Sequence, residues 1–144
     1  MYKRVVAKPV FIAELLAGSF LKGRQKYEPG FVDAFGEALS RVSIVATVLS
    51  KNLAESRSKT AGKDAVMQLY DGTGAITARC AIGSKTRGIQ AGSEVFVIGK
   101  VKELERRYLF IEAIRRSTDD NEGSAHAFRV ALRKKTALSS ESGL

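Results

Sequence analysis

The sequence has no tryptophan, one histidine, two prolines and a single cysteine, Cys80, among its 144 residues. One cysteine excludes an intramolecular disulfide and a cysteine-based zinc site, and its place on the apolar side of a predicted strand indicates an inert core thiol. No run approaches the ~18–20 apolar residues that a membrane span needs, and the first residues lack the apolar region of a secretory signal. We therefore expect a cytoplasmic protein that does not associate with membranes.

A recognisable catalytic set is also missing. His126 is the only histidine, and we interpret it as a surface residue of a predicted helix. The Gly72-Thr73-Gly74 pattern is not a phosphate loop, because no Gly-Lys-Ser/Thr follows it. The acidic residues are scattered and define no metal site. We expect a protein that is not an enzyme and that uses no cofactor and no metal.

Positive charge is what the sequence has in excess. Lysine and arginine number 24 against 15 acidic residues, which gives a net charge of +9 and a pI near 9.9. Such an excess favours a polyanionic partner, with nucleic acid ahead of an anionic membrane surface. A generally basic, soluble surface without such a partner is the alternative.

Alternating apolar and polar residues predict strands. Residues 65–82 are typical of a β-hairpin, because two alternating runs flank the turn sequence Asp71-Gly72-Thr73-Gly74. In its second strand Thr77, Arg79 and Ala81 are predicted to point away from the core. Further strands are predicted at residues 31–35, 41–49, 93–102 and 108–114. A polar loop is expected over residues 50–64.

Two helices are predicted, one on each side of these strands. The first covers residues 9–18, with Pro9 in its first turn and Gly18 at its end. The second covers residues 124–138, with Ser124 as N-cap and basic residues near its C-terminal end. Its apolar side is formed by Phe128, Ala131, Leu132 and Leu138. This side either folds back onto its own domain or is presented to another subunit.

The predicted fold class is all-β: a five-stranded OB-fold (oligonucleotide/oligosaccharide-binding) barrel with a short N-terminal helix and a C-terminal α-helix. A long loop after the first strand and a strong hairpin from the second to the third fit that barrel, which binds ligands over strands two and three. The predicted organisation is an N-terminal helix and lead-in strand packing on the barrel (1–40), the barrel core (41–116), a linker (117–123), the helix (124–138) and a disordered tail (139–144).

Basic residues fall where a nucleic-acid strand would cross such a barrel. Tyr70 and Tyr108 are candidate platforms for base stacking, although ordinary packing explains either tyrosine equally well. Contacts to phosphate would be independent of sequence and sensitive to salt. Besides the two tyrosines, the predicted nucleic-acid-binding residues are Lys51, Arg57, Lys59, Lys63, Thr77, Arg79, Lys102, Arg106 and Arg107.

Five short segments and the helix after the barrel occur in an order and spacing known from one family. The segments are Ile12–Leu16, Val42–Val45, Leu69–Gly74, Ile76–Arg79 and Val97–Lys100. Over residues 8–138 the chain resembles the middle (second) subunit of replication protein A, the heterotrimeric single-stranded-DNA-binding complex of archaea and eukaryotes. A telomere-capping subunit is built on the same core.

The resemblance implies a subunit that binds single-stranded DNA in replication, repair and recombination, located in the cytoplasm at the nucleoid. It also implies that the helix carrying Phe128 joins helices of the larger and smaller subunits in a bundle. The chain has Ala81 and Leu104 where the family often has aromatic residues, so we expect weak and mostly electrostatic DNA binding. Its compactness suggests the archaeal type. A scaffold subunit with little DNA binding and an RNA-binding OB module are the alternatives.

Overall fold

The computed structural model describes residues 6–21, 30–34, 36–55, 63–81, 86, 88–117 and 121–142, without the side chains of residues 54, 55, 63, 81 and 137–142. These ranges contain nine strands and two helices. In chain order they are β1 (Lys8–Pro9), α1 (Ile12–Ala17), β2 (Ser19–Leu21), β3 (Phe31–Ala34), β4 (Glu37–Leu39), β5 (Arg41–Glu55), β6 (Lys63–Tyr70), β7 (Ala75–Ala81), β8 (Glu94–Glu103), β9 (Arg107–Arg116) and α2 (Glu122–Ser142).

Five strands close into a barrel in the order β5-β6-β7-β9-β8, and the pairing of β5 with β8 completes the ring. The β7–β9 pair is parallel and the other pairs are antiparallel. Strand β5 reaches both neighbours because it is 15 residues long, with a register irregularity between Val48 and Ser50 that lets it bend. The predicted five-stranded OB barrel with a helix at each end is confirmed.

The barrel interior is filled by the apolar residues of each alternating strand. Ile44, Met67, Leu69 and Leu109 are fully buried there, and each contributes about 1.5–3 kcal/mol of hydrophobic stabilisation. Cys80 belongs to the same core, as predicted. Because successive side chains of a strand point to opposite faces, burying this set leaves the alternate residues on the outside of the barrel.

The hairpin turn of β6 and β7 holds helix α1 in place. Asp71 accepts backbone N–H bonds from Thr73 of its own turn (2.9 Å) and from Ile12 at the start of α1 (2.8 Å), 59 residues away. The Thr73 hydroxyl accepts a further bond from the N–H of Ala13 at 3.1 Å. The turn therefore caps the N-terminal amides of α1, which have no partner within the helix.

The N-terminal segment differs from the prediction. Pro9 lies outside α1, in β1, which pairs in parallel with β5, and α1 is only six residues long. The strand predicted at 31–35 is β3, and it belongs to a separate three-stranded sheet with β2 and β4, which we did not predict. Strand β5 continues to Glu55, so Lys51 lies in a strand and not in the expected loop, of which residues 56–62 fall outside the described residues.

Helix α2 is longer than predicted at both ends. It begins at Glu122 instead of after an N-cap at Ser124, and it covers residues 139–142 of the expected tail. Glu122, His126 and Val130 are buried against the rest of the chain. His126 is thus not the surface residue that we expected. None of the described helices is long and apolar enough to cross a membrane.

Candidate nucleic-acid interface

The outside of the barrel carries two rows of side chains that run across four neighbouring strand pairs. Both rows lie between buried core positions such as Met67 and Leu109, so their side chains face outward. We call these ten residues the outer face. They are Ser50, Gln68, Thr77, Tyr108 and Lys102 in the first row, and Asn52, Val66, Arg79, Phe110 and Lys100 in the second.

The side chains at the centre of the first row are polar and hydrogen-bonded to each other. The Gln68 side-chain amide donates a hydrogen bond of 2.6 Å to the Thr77 hydroxyl, and Thr77 lies directly beside Tyr108 on the parallel strand. Tyr108 is half-buried, whereas Tyr70, beyond the rows at the hairpin end, is 45% exposed. The structure therefore places the predicted residues Thr77 and Tyr108 together and Tyr70 at the margin.

Phe110 is an aromatic residue of the outer face that our sequence analysis missed. It is 39% exposed, and the Lys102 ammonium lies 4.9 Å from its ring centroid, a cation–π contact. The signal was present in the sequence, because Phe110 follows Tyr108 by two residues and must share its face in a strand. An aromatic surface therefore exists on β9.

Arg79, a predicted nucleic-acid-binding residue, is paired within the protein. Its Nε donates to Asp64 Oδ2 at 3.3 Å, and both side chains are about nine-tenths buried. A carboxylate that shares a buried site with a guanidinium neutralises most of its field. Arg79 therefore supports the middle of the outer face instead of offering charge to a ligand.

The side chains of Lys51 and Arg107 also form hydrogen bonds within the protein. Lys51 Nζ donates to the carbonyl oxygens of Thr86 and Ile89, both at 3.0 Å, and so ties β5 to the connection before β8. Arg107 donates to the carbonyl oxygens of Leu15 and Gly18, where it holds the C-terminal end of α1. Arg107 also pairs with Glu103 at 3.0 Å. Both side chains therefore have partners within the protein, and their contact with nucleic acid stays a prediction.

The remaining predicted cations lie near β8 and β9 or outside the described residues. Lys102 and Arg106 are exposed, and no acidic side chain in the described ranges pairs with either of them. Arg57 and Lys59 lie outside the described residues, and Lys63 begins β6 with its side chain undescribed. Leu104, in the β8–β9 turn, is 66% exposed. Among the predicted cations whose side chains are described, the two without an acidic partner therefore lie on β8 and in the turn that follows it.

A second surface is formed by helix α2. Polar contacts hold the helix to the N-terminal elements: His126 Nε2 donates to the carbonyl oxygen of Val10 at 2.8 Å, and Arg133 pairs with Glu14 and Glu37. On the side facing away, Phe128 is 66% and Leu132 is 48% exposed, and Ala131 is exposed too. The side chain of Leu138, the fourth predicted interface residue, is not described.

Glu122 completes the attachment of α2. Its carboxylate accepts hydrogen bonds from Arg115 and from the Ser117 hydroxyl, both at 2.7 Å. The bond from Arg115, followed by that from Ser117, lowers the pKa of Glu122 below its usual value of 4.5. Among the described side chains, no group of three or more His, Cys, Asp and Glu could hold a metal ion.

Known structures share the architecture of nearly the whole chain. A subunit of the replication protein A heterotrimer bound to single-stranded DNA superposes with a TM-score of 0.69 at 22% identity, over 92% of this chain and 98% of that one. A chain of the S. pombe Stn1–Ten1 complex gives 0.74 at 18% identity, over 96% and 98%. A chain of yeast RPA bound to single-stranded DNA gives 0.63 at 23% identity, over 91% and 92%.

Comparison of the sequence itself was negative. No protein-family model matches the chain, and no curated protein sequence does so. The likeness to the solved structures is therefore one of fold, and it extends beyond the barrel to the elements on both sides. The chain is an OB-fold barrel followed by a C-terminal helix.

Proposed function

We propose that this protein is the single-stranded-DNA-binding middle subunit of an archaeal replication protein A complex, acting in replication, repair and recombination. The observation that carries the proposal is the outer face, where Tyr108 and exposed Phe110 lie beside the exposed cation Lys102. Arg106, also exposed, lies in the turn between β8 and β9. Single-strand binders combine such aromatic surface with positive charge. Two of the structural neighbours are replication protein A chains bound to single-stranded DNA, which supports the same role here.

Binding through this face would not depend on sequence. The lysine and arginine side chains can contact phosphates, which all nucleotides share, and aromatic rings stack on any base. Of the five predicted DNA-contacting cations whose side chains are described, only Lys102 and Arg106 are exposed, since Arg79, Lys51 and Arg107 are engaged internally. We therefore propose that this chain alone binds single-stranded DNA with modest affinity and that a larger partner subunit increases the affinity of the complex.

Helix α2 is the proposed assembly element. Its apolar side, with Phe128 and Leu132, faces away from the barrel, so a helix bundle with the larger and smaller subunits would cover it. We further propose a cytoplasmic, nucleoid-associated protein without enzymatic activity.

One observation favours a second candidate, a scaffold subunit with little DNA binding of its own. Three of the predicted DNA-contacting cations hold parts of the fold together instead, while the apolar side of α2 is open. In that case assembly through α2 would be the main function. Binding to folded RNA is a third candidate, and the same experiment tests it.

The test is binding of the whole chain to a fluorescently labelled, unstructured DNA strand, followed by anisotropy at low salt. Neutralising Lys102→Gln together with Arg106→Gln should weaken binding at least several-fold. The matched control, Arg129→Gln with Lys135→Gln on α2, removes the same charge away from the outer face and should have a smaller effect. If the wild type binds no DNA, the first candidate is wrong and the scaffold role is favoured. If it binds a folded RNA more tightly than the DNA strand, the third candidate is favoured.

A further inference from the structure

We propose that Tyr108 and Phe110 form a two-base stacking site that accepts only an extended single strand of DNA, and that Lys102 leaves the Phe110 ring for a phosphate when the strand binds. This inference rests on the proposed function and assigns it a particular site. The site lies on β9, the strand between β7 and β8 in the barrel.

The position of Phe110 in the strand makes its ring available. Leu109 and Ile111 on either side are buried in the barrel core, so the alternation of the strand directs the phenyl ring outward. In the row, Arg79 and Lys100 flank it, and Arg79 is fixed by its bond to Asp64. The Phe110 ring therefore lies next to a fixed side chain and is partly exposed to solvent.

Lys102 occupies the place that a base would take. Its ammonium lies 4.9 Å from the ring centroid, and no acidic side chain of the described ranges pairs with it. A cation–π contact at an exposed site is weaker than the stacking of a base on an aromatic ring. A base can therefore displace the ammonium, and the long lysine side chain then lies within reach of the strand's own phosphates.

The spacing of the two rings selects the form of the DNA. Tyr108 and Phe110 are two residues apart on one strand, which corresponds to about 6.6 Å. Neighbouring nucleotides of a B-form strand advance by only about 3.4 Å along the helix. Successive bases can therefore seat on both rings only if the DNA strand is extended and unstacked, which a duplex does not allow.

A tryptophan at position 110 provides a direct readout, because the natural sequence contains none. In Phe110→Trp, saturating oligo-dT should quench the tryptophan fluorescence as a base stacks on the indole. The control is Leu21→Trp, at a position of similar exposure (44%) on β2 of the separate sheet, where the fluorescence should not change. A duplex of the same length should bind more weakly and quench less.

Two further variants separate stacking from charge. Phe110→Leu keeps an apolar side chain on β9 and should weaken oligo-dT binding roughly 5- to 150-fold, the equivalent of losing one stacked base at ~1–3 kcal/mol. Lys102→Met should reduce the salt dependence of binding by about 0.7 in the slope of log K against log salt, the value for one phosphate contact.

The outcomes distinguish the site from the function. If the wild type binds oligo-dT but the indole of Phe110→Trp stays unquenched and Phe110→Leu binds equally well, the stacking site is wrong and the proposed function stands. If the wild type binds no single-stranded DNA at low salt, both fail. Quenching together with an unchanged salt slope in Lys102→Met would overturn the movement of Lys102 to a phosphate.

Discussion

At the scale of single residues, Asp71 shows how one short side chain can join distant parts of the chain. Its carboxylate organises the β6–β7 turn through Thr73 and also receives the N–H of Ile12. An acidic group at this place has an additional effect, because the N-terminal end of a helix carries a partial positive charge. The turn sequence that marks the hairpin is thus also the cap of α1.

We predict that Asp71→Ala lowers the free energy of unfolding by about 1–2 kcal/mol, the cost of losing a helix cap. The matched control is Asp33→Ala, since the side-chain bond that Asp33 accepts, from the N–H of Gly36 at 2.9 Å, is local. Urea denaturation of both variants measures the difference. An Asp71→Ala variant no less stable than the control would show that the long-range cap contributes little.

The pKa of Glu122 predicts a stability effect in acid. Because this pKa is lowered in the folded state by Arg115 and Ser117, the ionised carboxylate stabilises the fold above the usual value of 4.5, and that stabilisation is lost as the pH falls through the lowered pKa. Glu122→Gln should therefore be less stable than the wild type at neutral pH, and the difference should shrink below pH 4.5. Thermal unfolding across this range measures it, and a difference that is independent of pH would contradict the prediction.

At the scale of elements, helix α2 reverses the usual amphipathic arrangement. Its polar residues Glu122, His126 and Arg133 contact the barrel and the N-terminal elements, whereas Phe128 and Leu132 face solvent. A helix that only packed on its own domain would turn these apolar residues inward. Helix α2 thus folds back onto its own chain while Phe128 and Leu132 stay exposed, and their contact with another subunit stays a prediction.

For this element we predict that Phe128→Asp prevents assembly with sister subunits and leaves the barrel folded, because the Phe128 side chain is 66% exposed in the single chain. Co-purification with the partner subunits and the thermal stability of the isolated chain measure the two effects. Val130→Asp is the control, since Val130 is fully buried on the opposite side of the same helix. It should destabilise the isolated chain. Unfolding of the Phe128→Asp barrel would show that Phe128 packs within its own domain.

At the scale of the whole molecule, the barrel could be predicted because its strands alternate strongly and its hairpin turn has a sequence signature. Of the β2–β3–β4 sheet only β3 was predicted, because β2 and β4 have three residues each, too few for a period to be recognised. The internal hydrogen bonds of the basic side chains could not be predicted for a different reason. A long side chain such as Lys51 or Arg107 reaches carbonyl oxygens that are far away in sequence, and no local pattern reveals them.

The His126–Val10 bond, which joins residues 116 positions apart, has a consequence for how the protein is made. At a synthesis rate of ~5–20 residues per second, roughly 6–23 s pass between the addition of Val10 and that of His126. During that interval Val10 lacks the helix that lies over it in the finished fold. The segment that the ribosome makes early is therefore among the last to reach its final environment.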